Sequence, residues 1–277
     1  MTASLPESHQ ATTPVTAVRR SLPLAFLAGA GIGILGGMIG LGGLEFRLPL
    51  LIGVFGFVAL QAVILNKAMS LIVVLTALPA RLISVPYSDL APYWYIVVNL
   101  LAGSLIGAWI GATWATKMRS ATLYKVIAML LVFIAAALAT THLAEVGTLD
   151  LAPAPRTILG VAAGVGIGVV AAVMGVAGGE LLIPTIVLLY GVDIKIVGSL
   201  SLAVSLPTML VAFARYSRDD SFQSLRDNRP FVIAMTIGSI AGTLIGGLLL
   251  GVVPTLLLIP LLVLLLLLSA IKVWRHT

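Results

Sequence analysis

The chain has 277 residues, of which 60% are hydrophobic and 9% charged, against roughly 25% charged in an ordinary soluble domain. With a mean hydropathy of +1.16, the medium it folds in is the bilayer. Cysteine is missing and the only histidines are His9, His142 and His276, which excludes disulfides, thiolate chemistry, a histidine triad and a multi-histidine metal centre. The net charge of +6 reads as Lys and Arg held on the cytoplasmic side of a membrane rather than as a nucleic-acid surface. Apolar runs are unbroken rather than alternating, so a closed β-barrel is excluded and an all-α polytopic membrane protein is expected.

In chain order, residues 1–20 form a polar tail. Five apolar segments follow, at about 22–40, 46–57, 61–83, 93–115 and 122–141. After an external linker at 145–155 come five more, at about 156–175, 181–192, 195–214, 230–250 and 252–273. The segments at 46–57 and 181–192 are too short to cross a hydrocarbon core at 1.5 Å per residue, so they read as half-helices or re-entrant arms. The membrane units are thus 21–144 and 156–277, the second ending in a short cytoplasmic tail.

These units repeat at a spacing of 135 residues. GLGGLEFRLP from Gly40 lies over GVAGGELLIP from Gly175, and the register holds without a gap from Gly29 on Gly164 to Gly111 on Gly246. It pairs Glu45 with Glu180, Pro49 with Pro184, Ser70 with Ser205, and Ser104 with Ser239. Arg19-Arg20 before an apolar run resembles a twin-arginine export signal, but a cleaved signal would have no internal copy at 156–175. Basic residues cluster at Lys117, Arg119 and Lys125, at Arg215, Arg218, Arg226 and Arg229, and at Lys272 and Arg275. Held inside together with both termini, they place the turn near Lys117 in the cytoplasm and its counterpart near Val252 outside. The two repeats are therefore expected to be inverted.

Glycines spaced by four, such as Gly29, Gly33, Gly37 and Gly103, Gly107, Gly111, form small-residue stripes that let helix backbones approach. The functional signal is the pair of glycine breaks, each closed by a charge and a proline. Gly40, Gly42, Gly43 and Gly175, Gly178, Gly179 would let the chain unwind, leaving the next helix's free N–H groups to hold an anion. Asn66 and Ser70, with Ser201 and Ser205, share helical faces and could add donors. Glu45 and Glu180 inside a membrane must be paired or protonatable. Arg47, two residues from Glu45, makes Glu45 the expected ion-pair member and leaves Glu180 for proton coupling. Lys67, Arg81 and Arg215 could attract an anion electrostatically or anchor at an interface.

With its glycine break closed by proline, the turn YGVDIK and the helix GSLSLAVSLP, the chain resembles the TauE/SafE family of sulfite and organosulfur-anion exporters, from about Leu22 to Ile271. Leu44 replaces the last glycine of the family's usual break in the first copy, Ala177 stands before Gly178-Gly179 in the second, and Glu45 and Arg47 are additions. The resemblance implies a multi-pass transporter in a bacterial-type plasma membrane, without enzyme activity or cofactor, moving sulfite, a sulfonate or a related small anion. It implies Gly40, Gly42, Gly43, Gly175, Gly178, Gly179, Ser201 and Ser205 as lining the site. Alternating access around a midplane site is the expected mechanism, and a passive anion channel is the alternative.

Overall fold

A computed structural model describes residues 21–39, 44–84, 86–143, 149, 151–249 and 255–275. Among the described residues the secondary structure is helical throughout, with no strand. The chain is an all-α polytopic membrane protein. The first five principal helices are α1 (Leu22–Ile39), α2 (Arg47–Gly53), α3 (Ala59–Ser84), α4 (Trp94–Lys117) and α5 (Ser120–Leu143). The next five are α6 (Pro153–Met174), α7 (Gly179–Tyr190), α8 (Ile194–Tyr216), α9 (Arg229–Leu248) and α10 (Thr255–Trp274). Six stretches, carried by α3, α4, α5, α6, α8 and α9, are long and apolar enough to cross a membrane. The seven residues of α2 and twelve of α7 reach only about 10 and 18 Å, well short of a hydrocarbon core about 30 Å thick.

Local chemistry sets the helix limits. Pro153 and Pro230 stand in the first turns of α6 and α9, where a missing N–H costs nothing. At its far end α6 stops on Gly175, whose φ of +70° is left-handed, and such a residue at the end of a helix is most often glycine.

The glycine stripes lie at the largest helix interfaces. α1 packs along α9, and α4 along α6. A Cβ on Gly29 or Gly33 would overlap the carbonyl of Met235 or Ser239, and one on Gly164 or Gly168 that of Leu100 or Ser104. From the other side, Gly103 and Gly107 lie against the Val161 and Val165 carbonyls, and Gly238 and Gly242 against those of Phe26 and Ala30. In the 135-residue register α1 corresponds to α6 and α9 to α4, so one pairing is made twice with the halves exchanged. Gly31 and Gly166 face open space.

The two largest helix interfaces thus join one half to the other. α3 and α8 are also neighbours, and α10 lies along α5. In the Leu-rich segment, Leu262 and Leu266 are buried while Leu261, Leu264 and Leu268 are exposed. That one-sided burial suits a helix with lipid on its outer face. The half-helices α2 and α7 sit inside this frame, α2 against α3 and α10, α7 against α6 and α8.

Candidate functional site

Breaking a helix inside a membrane exposes carbonyls that hydrocarbon cannot satisfy, so other parts of the protein must. At the break after α6 they do. Lys67 Nζ, from α3, donates to the carbonyl oxygens of Ala171 at 2.8 Å and Val176 at 2.7 Å. Asn66 Nδ2 donates to the Met174 oxygen at 3.2 Å, and Tyr216 Oη of α8 to the Ala172 oxygen at 2.9 Å. A cationic group and two neutral donors therefore hold the negative end of α6. Glycine at 175 allows α3 this close, because a Cβ there would meet the Val63 carbonyl.

The other side of the break is built differently. Gly178, at φ +83°, starts α7, and no side chain caps that helix. Its first turn carries Glu180, and Ser201 Oγ of α8 lies 3.6 Å from where a Gly179 Cβ would stand. Among the described residues, neither Glu180 oxygen nor Glu45 Oε2 has a hydrogen-bond partner.

Of the first break, Gly40, Gly42 and Gly43 lie outside the described residues. Beyond them a single 3-10 turn, Leu44–Phe46, brings Glu45 to the start of α2. Arg47 is fully buried, and its Nη2 donates to Ser239 Oγ on α9 at 2.9 Å. Its Nε and Nη1 have no hydrogen-bond partner among the described residues. The hydroxyls of Ser70, Ser199 and Ser205 are likewise buried and without a partner among the described residues. Thus the carbonyl end of α6 is shared among Asn66 and Lys67 of α3 and Tyr216 of α8.

The remaining cations lie apart from this cluster. Arg215 is bound by two α4 threonines, its Nε donating to Thr113 Oγ1 at 2.9 Å and its Nη2 to Thr116 Oγ1 at 3.3 Å. Arg81 belongs to the last turns of α3, and its side chain lies outside the described residues. Three polar contributors were not singled out from the sequence as site residues: Ser239, Tyr216 and Thr208. The hydroxyls of Ser104 and Thr208 share a hydrogen bond of 2.7 Å between α4 and α8. The repeat register carried a signal for two of the three, since Ser239 answers Ser104 and Tyr216 answers Arg81.

Residues 2–138 match the family model described as Sulfite exporter TauE/SafE. By this match the first half of the chain is of the TauE/SafE family. No curated protein and no solved structure matches it. The matched TauE/SafE region includes α1 to α4, the first break, and the α3 residues that cap the second. Family and apolar helices together make the protein a multi-pass membrane transporter.

Proposed function

We propose that the protein exports a small anion, sulfite or an organosulfonate, across a bacterial-type plasma membrane by alternating access around the buried cluster at the two breaks. The reading rests on one asymmetry. Side chains from α3 and α8 hold the carbonyl end of α6, whereas no side chain caps the N–H end of α7 facing it across the same break. An uncapped helix start of this kind is a ready anion site. Broken helices that meet at the midplane supply such starts in secondary transporters.

Around that start stand buried donors suited to an oxyanion. Ser201 neighbours Gly179, and the unpartnered hydroxyls of Ser70, Ser199 and Ser205 lie on the adjoining α3 and α8. Gly40, Gly42 and Gly43 would play the part in the first half that Gly175, Gly178 and Gly179 play in the second. Glu45, Arg47 and Glu180 supply charge at the same place. Lys67 serves the helix end rather than the anion, because two of its three N–H donors are committed to carbonyls. Arg81 and Arg215 would act, if at all, as distant attractors at the two faces. The halves are read as inverted, with both termini in the cytoplasm.

Counterflow in proteoliposomes tests the reading. Vesicles preloaded with unlabelled sulfite or sulfoacetate should take up a labelled trace of the same anion transiently above equilibrium. Passive leakage down the gradient without that overshoot would mean a channel.

A further inference from the structure

The half-helices α2 and α7 end against different neighbours. Beside Gly53, the last residue of α2, lies the side chain of Lys272 from the last turn of α10. Just beyond, the Ala59 N–H donates to Tyr124 Oη, near the start of α5, at 3.2 Å. At the end of α7 the Tyr190 hydroxyl stands where a Gly160 Cβ would be, in the early turns of α6. It accepts from Asn99 Nδ2, near the start of α4, at 2.6 Å. Now α4 runs for 24 residues, about 36 Å, and α5 begins at Ser120, just past its last residue, Lys117. The two half-helices therefore finish at opposite ends of α4, with α2 on the face of Lys117, Arg119 and Arg229.

One turn closes both. Phe55-Gly56-Phe57 answers Tyr190-Gly191-Val192 in the 135-residue register, and both glycines are left-handed, with φ of +68° and +64°. The chemistry around the two turns differs. The Phe55 and Phe57 rings pack on Phe231, in the first turn of α9, with centroids 4.8 and 5.3 Å away, and all three side chains are 2% exposed. Such a cluster offers an anion nothing in exchange for its water, and an apolar constriction closes a path by staying dry. At the other turn Tyr190 is half-buried and hydrogen-bonded, Asn99 Oδ1 has no hydrogen-bond partner among the described residues, and the exposed Tyr95 ring lies 6.1 Å from that of Tyr190. Those hydroxyl and amide groups can take up water where they stand.

We propose that the transport path has two unlike gates: Phe55, Phe57 and Phe231 form a dry gate on the face to which α2 returns, and Tyr190 with Asn99 a wettable gate on the face to which α7 returns. The proposal rests on the anion-transport reading and gives it its gating residues. From the dry gate the path follows α2 for about 12 Å to the buried Arg47. A dry gate needs no counter-charge to stop an ion, so it seals the bilayer against a standing anion gradient. The wettable gate lets an anion regain its water as it leaves.

Because the chain has no cysteine, one introduced thiol reports access to each side of the centre. Leu51→Cys and its register counterpart Ile186→Cys place the thiol on α2 and α7 at fully buried positions, one turn from Phe55 and from Tyr190. The probe is sulfonatoethyl methanethiosulfonate, an anionic, membrane-impermeant reagent, added to either face of vesicles holding the full chain. A minor open state is populated about 10% of the time or less, so a gate held wet should speed labelling roughly tenfold or more. Adding Phe231→Ser to Leu51→Cys should give that rise from the Lys117 face alone, while Phe231→Leu, which keeps the gate apolar, should not. Ile186→Cys should be labelled from the opposite face, more slowly once Tyr190→Phe and Asn99→Leu dry that gate, and without response to Phe231→Ser. Melting curves show that each variant is folded. Equal rates for Phe231→Ser and Phe231→Leu, entry at Leu51→Cys from the opposite face, or no effect of drying on Ile186→Cys would overturn the proposal. Counterflow is read separately: Phe231→Ser without a thiol should leak where wild type overshoots. A wild type without overshoot would remove the anion-transport reading, and the labelling rates would still decide the gates.

Discussion

Replacing Lys67 by methionine separates two accounts of a buried cation. The side chains have similar volume, so packing is largely kept, but the carbonyls of Ala171 and Val176 lose donors now at 2.8 and 2.7 Å. A hydrogen bond to a charged group contributes about 1.5–3 kcal/mol, and each buried carbonyl left unsatisfied costs about 1–3 kcal/mol. The helix end also loses a favourable cation, worth up to about 2 kcal/mol. Against this stands the desolvation of the ammonium, several kcal/mol, which the substitution removes. A net loss of about 3 kcal/mol follows, with Asn66 and Tyr216 still holding Met174 and Ala172. For a chain this size, that lowers the melting temperature by roughly 6–12 °C. The assay is tryptophan fluorescence or dye-reported melting in detergent without ligand, then with saturating sulfoacetate. If Lys67 is a helix cap, the ligand-free protein melts lower and the ligand-induced rise survives. An unchanged ligand-free melt with the rise abolished would refute the capping argument and return Lys67 to the anion.

Further substitutions probe the packing and the remaining cap. Gly107→Ala, which places a Cβ against the Val165 carbonyl, should destabilise by about 1–3 kcal/mol, whereas Gly166→Ala, with open space in front of it, should be neutral or gain up to about 1 kcal/mol. Equal melting temperatures for the two would mean that α4 and α6 are not in close contact. Tyr216→Phe removes the donor to Ala172 and should cost about 1 kcal/mol, read in the same melt, with Lys67→Met and Tyr216→Phe together costing more than either. Ser239→Ala frees the last bound nitrogen of Arg47. It should alter sulfonate affinity without touching the α6 cap, and an affinity within twofold of wild type would remove Ser239 from the positioning of Arg47.

The helices were legible because their signal is long and cumulative. The expected segment 122–141 appears as Ser120–Leu143, and 181–192 as Gly179–Tyr190. The two short elements were visible as runs below spanning length, and the glycine stripes as contacts waiting for a partner. What the sequence could not disclose was which partner. Spacing puts Glu45 beside Arg47 along the chain, yet the fold takes Arg47 to Ser239 of α9. Lys67 and Asn66 sit in an apolar run with no local sign that the end of a distant helix lies in front of them. Such assignments depend on long-range packing between halves, and no periodicity records that.

The same packing leaves the centre asymmetric between two halves that match at a spacing of 135 residues. Glu45 and Glu180 occupy equivalent positions, but Arg47 is matched by Leu182 and Lys67 by Leu202. Both buried cations therefore come from the first half, and both reach across: Lys67 to the end of α6, Arg47 to Ser239 of α9. A symmetric version with four cations would bury more positive charge than the two carboxyls could balance, and one with none would leave an acidic centre that repels anions. With cations from one half only, the matched helix contacts, in which each glycine stripe has its counterpart, are kept while the centre differs between the halves. The cap then belongs to neither half alone: either half, separated, would keep its glycine stripes but lose the hold of Asn66 and Lys67 on the end of α6.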